Sequence, residues 1–555
     1  MIKAIGMSLA INAFFLCLCI AFGDLAYGAI DDYFMAGVLT GIYGEGYNVH
    51  LTFVSAIYGY ALLPFYHFFP KIGWYYIGEM VAVYLSLVAI SYVIIRRVGM
   101  QWGAVFSVLL VSAFARDFYL VTQFTQCAYA LTAAGFLLLI HSLYQEAPCK
   151  RNLTVVLGLF LLLWGSLMRW EAFLMGFPFM ALLLTKNAKM IWKNRFFVLL
   201  AGIVLALGSF GMNHFNESLY RSPEYSAYME FQKKRSIIGD GQFYNDMAID
   251  EDLEESGHSG YDYAMLKNWV FYDKQVFAPE SLDYIVSLIK ENENKTSAHY
   301  IPGIALDRLL RFTQYPSLWL WVFFAIVAVF YEKKNVAYVW GLLLIAVSLM
   351  TYLKIFGRPV FRVENGFWFY TAVFMVPCLP LLSKKVKMAW VAMIALIGIV
   401  SYDYYVSGDV VRNPNNGVAA TLNENKNTET YQNIWKYVEQ SPDSALFFTE
   451  MSVYMELSRH RNPPYLSEPM GSWKKIVPLG FWLPYFPDVE NVLCKHNIDN
   501  PLKDVVKDNV YVLGSLPLIP YLKQHYYEDL KKEEIRNFNG IPLVKYVLPD
   551  GEDFP

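Results

Sequence analysis

Two adjacent carboxylates, Asp31 and Asp32, are the residues of this sequence best suited to chemistry. They open the segment DDYFMAGVLTG, which follows the first long apolar stretch of the chain. Two like charges this close at a membrane surface do not both ionise readily, so one can act as a base while the other binds or orients. A plainer interpretation is that one of them caps the helix that follows, which leaves the second unexplained. On a helix the two side chains point about 100° apart, so we expect only one to face a substrate.

Further charged residues are predicted to reach the same face of the membrane as this pair. Arginine on the outer face runs against the positive-inside trend, and its guanidinium group is suited to bidentate phosphate binding. Singly, each arginine is explained as a membrane anchor or an ion-pair partner, but together they predict a phosphate site. His50 is a candidate proton relay or metal ligand, or else a hydrogen-bonded structural residue. The candidate phosphate-binding residues are Arg116, Arg169, Arg358 and Arg362, and the accompanying carboxylates are Asp117 and Glu171.

The elements that must position these residues are predicted to be membrane-spanning helices. The chain of 555 residues is 56% hydrophobic and 17% charged, whereas average globular domains are about 45–50% apolar and about 25% charged. Eleven apolar windows approach the roughly 20 residues that a helix needs to cross a membrane. We expect the first to be a retained signal anchor. The windows are 5–22, 74–95, 98–115, 124–143, 152–168, 170–185, 196–212, 316–331, 336–353, 367–382 and 388–404.

The distribution of basic residues predicts the topology of these spans. Lysines and arginines cluster in alternate loops only if the further apolar run at 50–69 is not counted as a span. The positive-inside rule then favours eleven spans, with the N-terminus in the cytoplasm and the C-terminus outside. The run at 50–69 contains Pro64, His67 and several tyrosines, a composition typical of a helix that lies at the membrane interface.

The remaining organisation follows from this topology. We predict a helical membrane bundle over 1–404, with a first outer loop at 23–73 and a mostly helical outer insertion at 213–315. A linker at 405–428, rich in Gly, Asn and Pro, leads to an extracytoplasmic α/β domain at 429–555. In that domain the patterns predict helices near 429–440 and 518–527, and strands at 444–451, 508–515 and 541–549.

Composition also excludes some classes of function. The 45 basic and 48 acidic residues form no basic stripe, so nucleic acid is not an expected partner. The six cysteines lack the spacing of a zinc site or of a disulfide framework. No internal repeat is apparent.

The sequence resembles the GT-C superfamily of integral-membrane glycosyltransferases, in particular bacterial members. One span is followed by an acidic pair in the first outer loop, then by an interfacial helix, about ten further spans and an outer C-terminal domain. Short segments are similar too: DDYFM at 31–35, RWEAFL at 169–174, GRPVFRVENGFWFY at 357–370 and NPLKDVVKDNVYVLG at 500–514.

The resemblance implies a transferase in a bacterial inner membrane that takes its sugar from a polyprenyl phosphate or pyrophosphate on the extracytoplasmic side. Asp31 or Asp32 would be the general base that deprotonates an acceptor hydroxyl as it attacks the anomeric carbon, with inversion. Arg358 and Arg362 would bind the leaving phosphate, and Asp117 would position the acceptor or a metal. The acceptor (glycan, lipid or protein) and a divalent metal are left open, and no other cofactor is implied.

Two other classes of protein compete with this interpretation. A membrane polysaccharide polymerase or ligase would also have a long outer loop and outward arginines, but it would not need an aspartate pair in the first outer loop. A transporter or flippase of lipid-linked glycans would show internal repeats and charges near the bilayer midplane. Here the charges are predicted to cluster at one face.

Overall fold

The computed structural model describes residues 2–240, 253, 258–291, 300–315, 317–356, 360–382 and 428–549. The first part of the chain is helical. In chain order its helices are Ile2–Phe22 (α1), Ile30–Thr40 (α2), Ala56–Phe68 (α3), Trp74–Val98 (α4), Met100–Ala115 (α5), Phe124–Ser142 (α6), Pro148–Met168 (α7), Trp170–Leu174 (α8), Phe177–Lys186 (α9), Ala188–Lys193 (α10) and Arg195–Leu219 (α11). A π-helical turn, Arg116–Leu120, continues α5.

The predicted insertion is helical as well, and three further helices follow it before residue 382. The insertion contains Pro223–Asp240 (α12), Gly260–Lys267 (α13), Pro279–Glu291 (α14) and Ile301–Arg311 (α15), and the helices after it are Ser317–Tyr331 (α16), Asn335–Phe356 (α17) and Phe361–Phe374 (α18). Short 3-10 turns lie at Phe312–Gln314 and Val376–Cys378.

Seven helices among the described residues are long and apolar enough to cross a membrane. They are α1, α4, α5 with its π-helical turn, α6, α7, α11 and α17. A hydrocarbon core of about 30 Å needs about 20 apolar residues in helical form, a length that all seven reach or approach. The protein is therefore an integral membrane protein with a helical bundle, as its composition predicts.

Four predicted spans remain. The window 316–331 matches α16, which is apolar but has only 15 residues. The window 170–185 is divided between α8 and α9, because Gly176 and Pro178 interrupt it and proline is favoured only in the first turn of a helix. The window 367–382 is shifted: α18 begins at Phe361 and ends before Pro377. The window 388–404 lies outside the described residues, and the total of eleven spans stays a prediction.

The run at 50–69 forms a shorter helix than its apolar composition allows. Residues 50–55 are not helical, and α3 covers only 13 residues, with Ser55 accepting a hydrogen bond from the backbone of Ile57 at its start. Thirteen residues extend about 20 Å, less than a membrane core. The location of α3 at the membrane interface stays a prediction.

Helix α6 is the central helix of the bundle. Nearly all of its side chains are buried, and it packs closely against α7. A Cβ atom added to Gly135 of α6 would lie 2.8 Å from the backbone oxygen of Gly158 in α7. Backbones can approach this closely only where the side chains are small, so the two glycines set the distance between the two helices.

The C-terminal domain is a mixed five-stranded sheet with helices, as expected. Its strand order is β4-β3-β5-β7-β6, with β3 parallel to β4 and β5, and with β7 antiparallel to β5 and β6. The predicted strands and helices are all present, and the structure adds β4, β6, α20 and α21. The elements are Thr428–Gln440 (α19), Leu446–Thr449 (β3), Met451–Arg461 (α20), Ile476–Pro478 (β4), Pro487–Lys495 (α21), Val510–Leu513 (β5), Leu518–His525 (α22), Lys531–Phe538 (β6) and Ile541–Val547 (β7).

The segment between α1 and α3 is held from two sides. Ala26–Tyr27 (β1) pairs in parallel with Val121–Thr122 (β2), which follows the π-helical turn. At the other end of α2, the backbone of Gly471 donates to Gly41 and that of Trp473 donates to Ile42, both at 2.9 Å. The C-terminal domain and the loop after α5 therefore fix both ends of the segment that carries the aspartate pair.

Candidate active site

Asp31 and Asp32 lie in the first turn of α2 and are both buried. The residue before the helix is Ala29, and no side chain caps its N-terminus. The capping interpretation of the pair is therefore wrong, although the helix dipole still favours negative charge in this turn. The two carboxylates point to different neighbours, as their helical spacing predicts.

Asp32 points into the protein and is fully buried. Its Oδ1 atom accepts hydrogen bonds from the hydroxyl of Tyr75 at 3.2 Å and from the backbone N–H of Phe124 at 3.3 Å. Its Oδ2 atom has no hydrogen-bond donor among the described residues. The carboxyl group of Asp32 lies against that of Glu79, which is also fully buried. Two carboxyl groups form a hydrogen bond only when one is protonated. Burial raises the pKa of Asp32 to about 8, which favours its protonated form at neutral pH.

Asp31 points towards polar partners from two distant parts of the chain. Its Oδ1 atom accepts a hydrogen bond of 3.0 Å from the indole Nε1 of Trp482 in the C-terminal domain. Its Oδ2 atom lies 3.4 Å from the guanidinium of Arg362 in α18. Both oxygens of Asp31 thus have a hydrogen-bond donor from another part of the chain.

Helix α18 connects Asp31 to the loop after α5. One turn beyond Arg362, the side-chain amide of Asn365 donates to Asp117 at 3.0 Å. Because residues three apart lie on one face of a helix, Asp31 and Asp117 are brought to neighbouring positions along α18. We call the group Asp31, Asp32, Asp117, Arg362, Asn365 and Trp482 the acidic site.

A second charged group lies in the same first turn of α18. Glu364 is buried and accepts hydrogen bonds from Arg308 at 2.8 Å and from the hydroxyl of Tyr315 at 2.6 Å. Arg311 is partly exposed and lies 3.4 Å from Oε2 of Glu364, the oxygen that also accepts the hydrogen bond from Tyr315. The end of α15 and the start of α18 thus form a buried ion-pair network whose outer member is Arg311.

The other arginines predicted from the sequence differ in their surroundings. Arg116 precedes Asp117, and one of its terminal nitrogens is buried without a hydrogen-bond partner among the described residues. Arg169 pairs with its neighbour Glu171 at 2.8 Å, and its guanidinium lies 5.5 Å from the ring centres of both Phe53 and Phe124. The Arg169–Glu171 pair is thus a local ion pair beside the acidic site. Arg358 lies outside the described residues.

His50 does not reach the acidic site directly. Its ring stacks on Tyr225 at 3.7 Å, and Nδ1 lies 2.9 Å from the side-chain oxygen of Asn48. The amide nitrogen of Asn48 donates to Asp488. Burial lowers the pKa of His50, which favours the neutral imidazole. These contacts fit the interpretation of His50 as a hydrogen-bonded structural residue better than a role as proton relay or metal ligand.

Within the described ranges, no three His, Cys, Asp or Glu side chains lie close enough together to bind a metal ion. A role for a divalent metal therefore stays open, with Asp117 still the residue that the resemblance would assign to it.

Three residues of the site were missed from the sequence. Glu79 is the one acidic residue within the apolar helix α4, and a lone carboxylate in a membrane span is by itself a signal of function. Asn365 lies within the arginine-containing segment already singled out, but an amide carries no charge to draw attention. Trp482 could not be identified from the sequence, because no local pattern in the C-terminal domain predicts a contact between this residue and the segment that carries Asp31.

The chain was compared with known proteins. No protein-family model and no curated protein matches it. Two crystal structures of ArnT from Cupriavidus metallidurans are similar to it at 11% sequence identity. The one bound to undecaprenyl phosphate covers 98% of this chain and of ArnT at a TM-score of 0.42, and the apo one covers 97% of each at 0.43. Similarity at this level does not by itself assign a reaction or a ligand to this chain.

Proposed function

We propose that the protein is a glycosyltransferase of the GT-C type. It moves a sugar from a polyprenyl-phosphate-linked donor to a hydroxyl group of a glycan, lipid or protein acceptor. The reaction takes place on the extracytoplasmic face of a bacterial inner membrane, with the N-terminus in the cytoplasm and the C-terminal domain outside.

The observation that carries this proposal is the environment of the two aspartates. Asp31 is held by two donors and is 8% exposed, whereas Asp32 is fully enclosed, and burial raises its pKa to about 8. Asp31 is therefore the base, and Asp32 is a neutral positioning group behind it. Asp31 takes the proton of the acceptor hydroxyl as the oxygen attacks the anomeric carbon, the bond to the phosphate breaks, and the configuration inverts.

The charges of helix α4 support the proposed orientation. Its first residues lie beside Asp32, and Arg96 and Arg97 lie in its last turn. Basic residues favour the cytoplasmic end of a span, so the acidic site belongs to the opposite, outer end.

The donor phosphate needs cationic partners, which Arg116 and Arg362 can supply beside Asp31 and Asp117. The Arg362–Asp31 contact of 3.4 Å leaves no room for a sugar between these two groups. We therefore expect Arg362 to exchange Asp31 for the phosphate when the donor binds. Arg358 and Arg169 remain further candidates for this phosphate.

A transfer assay with purified protein in liposomes tests the proposal. The donors are a panel of radiolabelled sugars on polyprenyl phosphate, and the acceptors are membrane and cell-envelope fractions. We expect transfer from at least one donor, with the opposite anomeric configuration in the product by NMR. Products that retain the configuration would refute the single-displacement mechanism, and a lack of transfer from every polyprenyl donor would refute the function.

A further inference from the structure

The loop between β4 and α21, residues 479–486, reaches from the C-terminal domain into the acidic site. The indole of Trp482 donates its N–H to Asp31 at 3.0 Å, and the residue is 9% exposed. Phe481 and Phe486 of the same loop pack edge-on against Phe34 of α2, with ring centres 5.9 and 5.8 Å apart. The loop thus contacts the aspartate-bearing helix at more than one point.

Three bulky residues around Trp482 have an unusual backbone conformation. Phe481 and Tyr485 within the loop, and Trp269 of the insertion, have φ angles of 63°, 63° and 62°. Large side chains rarely adopt this left-handed region, and such strain persists only where the surrounding structure enforces it. Residues of this kind concentrate at functional sites.

Contacts from the insertion hold the loop in this backbone conformation. The backbone N–H groups of Phe271 and Tyr272 donate to Leu479 at 2.8 and 3.0 Å. A Cβ atom added to Gly480 would lie 2.0 Å from the backbone oxygen of Trp269, so the two segments are in the closest contact that glycine allows.

Aromatic and cationic groups fix the ring of Trp482. The guanidinium of Arg235 lies 4.2 Å from the ring centre of Trp482 and 4.4 Å from that of Trp269, and the two indoles pack edge-on with their centres 5.4 Å apart. On another side, Phe53 packs edge-on against Trp482 at 4.6 Å. Cation–π and edge-to-face contacts of this kind hold an indole in one orientation, and here that orientation aims its N–H at Asp31.

We propose that Trp482 is a positioning residue for the base of the proposed transfer reaction. Its N–H group stabilises the ionised carboxylate of Asp31 and holds it towards the acceptor. The C-terminal domain therefore completes the active site instead of only covering it. This inference rests on the proposed function for its role in catalysis, although the contact itself can be tested without any activity.

The test uses the full-length protein with Trp482→Phe, which keeps an aromatic ring beside Phe53 and Arg235 but removes the donor. The matched control is Trp473→Phe, because Trp473 is also buried in the C-terminal domain and its indole also donates to a carboxylate, that of Glu468. Should Trp482→Phe fail to fold, benzothienylalanine at position 482 keeps the shape of tryptophan without the N–H group.

The first measurement is labelling of Asp31 by dicyclohexylcarbodiimide, which reacts with protonated carboxyl groups, followed by mass spectrometry across a pH series. Loss of a donor to a carboxylate favours its protonated form, so we expect the labelling curve of Trp482→Phe to move up by about one pH unit, a tenfold change. The curve of Trp473→Phe should coincide with that of the wild type. Coinciding curves for all three proteins would overturn the proposal.

The second measurement is sugar transfer. We expect kcat of Trp482→Phe to fall about tenfold or more with KM for the lipid donor unchanged, and the acidic limb of the pH–rate profile to shift upwards. A rise in KM with an unchanged kcat would overturn the positioning role. If the wild type transfers no sugar, the proposed function fails, and the labelling experiment still decides whether Trp482 acts on Asp31.

Discussion

The carboxyl group of Asp32 lies against that of Glu79 in a part of the protein that excludes water. Neither oxygen of Glu79 has a hydrogen-bond donor among the described residues. Burial of two adjacent carboxyl groups disfavours the state in which both are ionised, since unpaired charge is costly to bury. The two aspartates of the motif therefore have different surroundings, and the proposed function predicts that substitutions should separate their roles.

We expect Asp31→Asn to lower the rate of sugar transfer by about a hundredfold or more, because a positioned general base contributes about 10²–10⁴ in rate. Asp32→Asn should retain transfer within about tenfold of the wild type, because an amide resembles the protonated acid in shape and charge. Initial rates at saturating donor, with expression matched by immunoblot, test this difference. Equal loss in both variants would contradict the division of roles.

The raised pKa of Asp32 predicts how stability depends on pH. A carboxyl group whose pKa is higher in the folded state binds its proton more tightly there, so folding is favoured at low pH. As the pH rises above about 4, the unfolded chain loses this proton and the folded protein does not, and stability declines until the raised pKa is passed. Thermal unfolding in detergent from pH 5 upwards should show this decline in the wild type.

The same measurement on Asp32→Asn should give a flatter pH dependence, because one of the two coupled groups no longer titrates. Asp24→Asn is the matched control, since Asp24 lies in the same outer loop but is exposed. If Asp32→Asn and Asp24→Asn followed the same curve as the wild type, the raised pKa of Asp32 would be disproved.

Arg362 is expected to serve both the base and the donor phosphate. Arg362→Ala should lower kcat/KM for the lipid donor by about tenfold or more, equivalent to about 1.4 kcal/mol, and Arg362→Lys should lose less because it keeps the charge. Free polyprenyl phosphate should also inhibit Arg362→Ala more weakly. Arg221→Ala, at an exposed arginine between α11 and α12, is the control. An unchanged kcat/KM in Arg362→Ala would remove this residue from the site.

The orientation of the chain can be tested by cysteine labelling. In a background without its six native cysteines, Glu45→Cys and Asp443→Cys should react with a membrane-impermeant maleimide added to intact cells. Both positions are largely exposed in the structure. Lys189→Cys, on the helix between α9 and α11, should react only after the membrane is opened. The reverse pattern would place the acidic site in the cytoplasm and refute the proposed orientation.

Much of the fold follows from local patterns in the sequence. Apolar windows locate the long helices such as α4 and α6 to within a few residues, because a bilayer demands length and apolarity in one continuous segment. The predicted windows are wrong where glycine and proline interrupt a helix, as at Gly176 and Pro178, which divide one expected span. In the C-terminal domain, apolar runs bounded by turn residues locate the buried strands, whereas the exposed strand β6 has too few apolar residues to be recognised.

The candidate site could be predicted only in part. Asp31, Asp117 and Arg362 were singled out because charge next to an apolar span is costly, and the structure brings them together. Their pairing through Asn365 depends on the rotation of α18, which no local pattern specifies. The contact from Trp482 depends on how the C-terminal domain packs against the helical part of the chain. That packing depends on the shapes of the two surfaces, which the periodic apolar patterns of single helices and strands do not reveal.

The hydrogen bond between Asp31 and Trp482 joins residues 451 positions apart in the chain. At about 5–20 residues per second, a ribosome needs tens of seconds to travel from one to the other. During that interval α2 has already left the ribosome, while Trp482 has not yet been made. If Asp31 is the base, as we propose, the nascent chain lacks the hydrogen bond that Trp482 donates to it. Transfer activity would then begin only after the C-terminal domain has folded.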